Sequence, residues 1–206
     1  MRTVCTNASI APIDDNTSQG HERRAASRIQ TVLRVARVIA DHDEGLARVR
    51  NISDQGAQLR LQIPVLPGDT LVLELAEGLT MAGQVVWTSG DDCGLQFYEN
   101  IDCADLLAML ADYSKRSKNR PVRLPVATSA LTRSENGIRM AGIADVSQRG
   151  MKLRHDGSFT EGLQVEITLR SGLKRRGVVR WSKDNMAGVM LIEPFCAEDL
   201  GSAINL

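Results

Sequence analysis

The chain repeats itself. The segment NISDQGAQLR (Asn51 to Arg60) recurs as DVSQRGMKLR (Asp145 to Arg154), so that Ser53 returns as Ser147, 94 positions on. The same spacing links Gly56 to Gly150, Leu59 to Leu153, Arg60 to Arg154, Gly68 to Gly162 and Val85 to Val179. It also links Trp87 to Trp181, Gly94 to Gly188, Asp105 to Asp199 and Leu106 to Leu200. An ungapped register over about 55 positions that pairs both tryptophans of a 206-residue chain means two copies of one unit. We divide the chain into a flexible N-terminal tail without periodicity (1–20), a first domain (21–112) and a second (113–206).

Within a copy the signals are β. TVLRVARVIA is rich in β-branched residues and is followed by a polar turn, Asp41 to Gly45. LARVRNIS and GAQLRLQI alternate polar and apolar as half-buried strands do. LPGDTLVLELA is turn punctuation followed by a strand, and TMAGQVVWTSGDDCGLQFYE reads as a hairpin turning near Ser89 to Asp92. The second copy repeats the plan with GLQVEITLR and RRGVVRWSKDNMAGVMLIE. Short antiparallel strands at this spacing predict an all-β chain of two small barrels. Leu106, Leu107, Leu110 and Tyr113 fall at helical spacing and predict a helix over Asp102 to Lys115, bridging the copies, with a shorter counterpart from Ala197.

Lys+Arg 25 against Asp+Glu 25 excludes a bulk polyanion binder, whose affinity needs a surplus of cations. Aromatic residues are 3% of the chain, too few for stacking platforms on single-stranded nucleic acid, and we expect no DNA or RNA partner. No apolar run reaches the roughly 18 residues of a membrane span, so no membrane insertion is expected. The start, MRTVCTNASIAPIDDN, has no apolar core of a signal peptide, and a cytoplasmic location with reduced thiols is expected. Cys5, Cys93, Cys103 and Cys196 show no metal-ligand spacing, and no metal or cofactor is expected. His21, His42 and His155 sit in no nucleophile or zinc motif and are read as surface residues; no catalytic residue is assigned. Trp87 and Trp181 are read as core or rim packing.

Neutrality hides a segregation of charge. From Leu61 to Asp112 there is no Lys or Arg but nine acids; from Lys115 to Arg154 there are ten cations and two acids. Most cations are arginines, whose planar fork suits phosphate and the O6/N7 edge of guanine. Scattered ones such as Arg48, Arg133 and Arg170 are read as decoration of a solvated surface. Each copy, however, opens with two arginines four apart. These are Arg24 and Arg28 in HERRAASR, with Arg23 beside them, and Arg116 and Arg120 in KRSKNR. Each pair is followed by a short polar residue, a hydroxyl two positions on and a glycine three further: Asn51, Ser53, Gly56 and Asp145, Ser147, Gly150. On a strand the first two share a face, and the glycine lets the backbone turn or approach a ligand. These residue types also build structural turns, but both elements in order, twice, point to a site.

With these motifs, the closing hairpin Gly94 to Phe97 and the strand-like RPVRLPV (Arg120 to Val126), the sequence resembles the PilZ domain family over about 21–112 and 113–200. The resemblance implies two tandem six-stranded β-barrels, each followed by a helix, the C-terminal one short. It implies a non-catalytic bacterial receptor whose ligand is cyclic di-GMP. The expected ligand-binding residues are Arg23, Arg24, Arg28, Asn51, Ser53, Gly56, Arg116, Arg120, Asp145, Ser147 and Gly150. Binding would order the arginine loops, rearrange the domains and signal to a downstream protein partner. The other reading is a PilZ-like interaction module that binds no nucleotide in one or both domains, docking through the acid-rich part of copy 1 and the cationic lead-in of copy 2.

Overall fold

A computed structural model describes residues 34–116 and 120–206, with the side chain of Arg116 excepted. Arg23, Arg24 and Arg28 lie outside the described residues, as does the expected N-terminal tail. The first barrel is built from β1 (Arg34–Ile39), β2 (Glu44–Ser53), β3 (Gly56–Arg60), β4 (Thr70–Ala76), β5 (Leu79–Ser89) and β6 (Asp92–Phe97). The helix α1 (Cys103–Arg116) comes next. The second barrel comprises β7 (Leu124–Ser134), β8 (Gly137–Ser147), β9 (Gly150–Arg154), β10 (Gln164–Thr168), β11 (Lys174–Lys183) and β12 (Met186–Leu191). Each closes antiparallel in the same order: β1-β2-β3-β6-β5-β4 and, equivalently, β7-β8-β9-β12-β11-β10.

Each barrel encloses its own apolar core, Leu59, Leu71, Leu73 and Val85 in one and Leu153, Ile167 and Val179 in the other. The duplication extends to the backbone. Gly68 and Gly162 both hold positive φ, and each donates its N–H to the carbonyl of the equivalent valine, Val85 or Val179. Bulges fall between Val49 and Asn51 and, in the second barrel, between Ile143 and Asp145. A second pair falls between Val85 and Trp87 and between Val179 and Trp181. The β5–β6 turn uses Gly90 at φ 57°, whereas the β11–β12 turn places Asp184 and Asn185 at φ 51° and 59°, a conformation Asp and Asn tolerate.

The helix α1 begins where Asp102 caps it, its Oδ1 accepting from the amides of Ala104 and Asp105 at 2.9 and 3.0 Å. Leu106 and Leu110 are buried against the first barrel's core, as their spacing predicts. The C-terminal counterpart is reduced to a 3-10 turn, Glu198–Leu200. The C-terminal segment around this turn ties the two barrels together. Phe195, Leu200 and Leu206 join the second barrel's core, and so does Leu46 of β2 from the first barrel. Arg48 grips both carboxylate oxygens of Glu198. Asp43 accepts from Ser202 Oγ at 2.6 Å and from the amides of Ala203 and Ile204 at 3.1 and 3.2 Å. The segment is thus a clasp between the barrels.

Two expectations are corrected here. Arg48 is no solvated decoration, because Glu198 holds it across the domain junction. His155 is not a surface residue: it is 9% exposed, stacks on Phe159 and accepts at Nδ1 from the amides of Gly157 and Phe159. Part of the acid-rich stretch is neutralised within its own barrel, where Asp92 pairs with Arg50 and Arg60 and Glu74 with Arg37.

Candidate functional site

The bulge in β2 decides which way the site residues face. Ala47 and Val49 point into the core, so strict alternation would carry Asn51 and Ser53 inward too. The extra residue, Arg50, resets the alternation. Ile52 then takes the buried position, and Asn51 and Ser53 stand half-exposed on the outer face. Gly56 pairs with Ser53 across the two-residue turn that joins β2 to β3. A methyl on Gly56 would lie 2.3 Å from the carbonyl oxygen of Leu95, so the glycine is required for β3 to approach β6.

The bulge in β5 acts in the same way on Trp87. Met81, Gly83 and Val85 face inward, and Trp87 would continue the pattern; after Val86 it turns out and is 40% exposed. Its indole lies over Gly94, where an added methyl would come 2.0 Å from Nε1. Trp181 repeats this over Gly188, at 2.1 Å, and is 43% exposed.

In the first barrel Asn51, Ser53, Gly56, Gln58, Trp87 and Gln96 are among the residues around one concavity of about 250 Å³. That is just below the ~300 Å³ of small-molecule pockets, so it suits part of a ligand, such as one base. The Asn51 amide donates to Gln58 Oε1 at 2.8 Å, leaving its own carbonyl oxygen for a ligand. Ser53 Oγ donates to the Gly56 carbonyl at 3.2 Å and keeps its lone pairs. The concavity is polar and uncharged: the cations expected to complete it, Arg23, Arg24 and Arg28, lie outside the described residues.

The second barrel carries the same backbone with different chemistry. Ser147 Oγ donates to the Gly150 carbonyl at 3.1 Å, but the residue is 1% exposed, against half-buried Ser53. Lys152 stands opposite Asp145 where Gln58 stands opposite Asn51. Asp145 receives the guanidinium of Arg123 at 2.6 Å. Arg120 is exposed, just before β7. Of the expected set, the structure brings together Asn51, Ser53 and Gly56, and separately Asp145, Ser147 and Gly150. Trp87, Gln58, Gln96 and Arg123 were not anticipated. The pairing of both tryptophans with glycines in the repeat was a signal for the first.

Among the described residues no group of three or more His, Cys, Asp and Glu is placed to hold a metal. No described helix is long and apolar enough to cross a membrane. Cys93 and Cys103 are buried free thiols, and burial pushes both up to about 11, far from thiolate chemistry.

A search of curated proteins returned no match. Among solved structures, the chain is similar to the Borreliella burgdorferi PlzA protein in complex with c-di-GMP (12% identity, 80% of this chain and 86% of that one, TM-score 0.35). It is similar to the Bacillus subtilis inhibitor of motility MotI/DgrA (10% identity, 82% and 90%, TM-score 0.29). A third is Escherichia coli YcgR in complex with c-di-GMP (9% identity, 79% and 75%, TM-score 0.27). At such identities and scores the assignment rests on the family model, that of the PilZ domain, which matches twice, over residues 22–116 and 114–195. Two matches, one on each closed six-stranded barrel of a duplicated sequence, make this chain a member of the PilZ domain family with a PilZ domain in each half.

Proposed function

We propose that the chain is a non-catalytic receptor for cyclic di-GMP, working in the bacterial cytoplasm. The observation that carries this is the outward turn of Asn51 and Ser53 beside Trp87 in one concavity of the first barrel. A cyclic dinucleotide offers two guanines and two phosphates. Guanine presents N–H donors to the Asn51 and Ser53 oxygens and a π face to an indole. The phosphates need cationic forks, which Arg23, Arg24 and Arg28 supply in the first domain, and Arg116 and Arg120 in the second. Such a site asks for local charge only, in keeping with a chain of net charge zero.

The signal passes on through the arginine lead-ins and through the junction of the domains to a downstream protein. Any reorientation of the barrels must break the Arg48–Glu198 pair and the bonds to Asp43. A ligand can drive that only by binding the two arrangements with different affinity. The reading without nucleotide draws on the Ser53 and Ser147 bonds to the glycine carbonyls, which use the motif as a turn. Isothermal titration with cyclic di-GMP separates the two: heat that falls in Asn51→Ala and disappears when Asp145→Ala is added supports the receptor, and its absence in the wild-type chain supports the interaction module.

A further inference from the structure

Resting on the receptor reading, we infer that Arg123 holds the second barrel's site closed, so that the first barrel fills first. Asp145 is the second barrel's counterpart of Asn51. In β7–β8 pairing Pro125 stands opposite Asp145, which makes Arg123 its diagonal neighbour on the same face. From there Nε of Arg123 reaches Oδ1 at 2.6 Å. The contact is a charge-assisted donor on the carboxylate that a guanine N–H edge would need. Asn51 carries no such partner: its bond is to the neutral Gln58 amide, made through its own N–H₂, with its oxygen left over. Ser147 adds to the closure, since at 1% exposure it cannot reach a ligand as Ser53 can. The two copies therefore present one motif in an open and an occupied form.

The Arg123–Asp145 pair is surface-exposed, with side chains 47% and 24% accessible. An exposed ion pair is worth at most about a kcal/mol, or roughly a fivefold change in affinity. Arg123 thus ranks the sites without abolishing the second.

The test is a titration of the full ¹⁵N-labelled chain with cyclic di-GMP, with the amides of Gly56 and Gly150 as reporters of the two barrels. The expected result is a lower midpoint for Gly56 than for Gly150 in the wild type. Arg123→Ala should lower the Gly150 midpoint up to about fivefold and leave that of Gly56 unchanged. In an Asp145→Asn background the same substitution should bring no further gain, because the carboxylate it uncovers is gone. Equal midpoints in the wild type overturn the inference. So does a Gly150 midpoint that rises in Arg123→Ala, which would make Arg123 a ligand contact. No response at either glycine removes the receptor reading itself and this inference with it.

Discussion

Gly45→Ala probes the clasp without touching a charge. Gly45 lies in β2 against the C-terminal segment, and a methyl there would sit 2.0 Å from the carbonyl oxygen of Gly201. Ordinary contact begins near 3.4 Å, so the segment must retreat by more than 1 Å. The retreat breaks the bonds of Asp43 to Ser202, Ala203 and Ile204, and that from the Ala203 amide to the Glu44 carbonyl at 2.7 Å. At about 1 kcal/mol each, with some recovered through water, about 3 kcal/mol of docking is lost, a shift of roughly 100-fold in the docked population. The barrel itself should survive, because Gly45 pairs with Val38 in a strand that accepts alanine. Hydrogen exchange reads this directly. The amides of Ala203 and Ile204 should exchange about 100-fold faster, while those of β3 and β6 keep their protection. Unchanged protection at Ala203 would refute the clasp, and loss of protection throughout the first barrel would refute its independence from the fold.

Gly94→Ala should expel the Trp87 indole, for which there is no room beside a methyl. In a Trp181→Phe background the expected result is red-shifted emission and a loss of about 1–3 kcal/mol in denaturant stability; unchanged emission would contradict the packing. Acid should undo the clasp in a defined window. The Arg48 guanidinium, bonded to the carboxylate of Glu198, holds that carboxyl down at about 2. A depressed carboxyl contributes stability above its ordinary value near 4.5 and loses it as pH falls through 2. Glu198→Gln should therefore cost at most about 1 kcal/mol of docking at neutral pH, the pair being exposed. That gap should close between about pH 4.5 and 2; a gap that widens in acid would contradict the pairing.

The duplication was plain in the sequence because a register without gaps survives in the residues themselves, and with it the two barrels and the helix capped by Asp102. Four features were not. The outward turn of Trp87 was hidden because alternation is a period-two signal and the bulge at Val86 breaks it silently. Arg48 looked like surface decoration because its partner, Glu198, is 150 residues away and no periodicity reports such a pair. Arg123 escaped notice because its reach to Asp145 depends on the register of β7 on β8, which pattern alone leaves open. His155 differed for a related reason: its environment is made by Phe159 and Ser182, the latter from another strand. The motif residues Asn51, Ser53 and Gly56 were legible, yet the same bonds that identify their turn show why the motif alone could not distinguish a site from a structural corner.

The most direct measurement is calorimetric titration of the full chain with cyclic di-GMP, beside a chain carrying Asn51→Ala and Asp145→Ala together. Saturable heat is expected in the first and none in the second, with both proteins folded by circular dichroism. Equal heat in the two would contradict binding through these motifs, and none in the wild type would contradict the receptor.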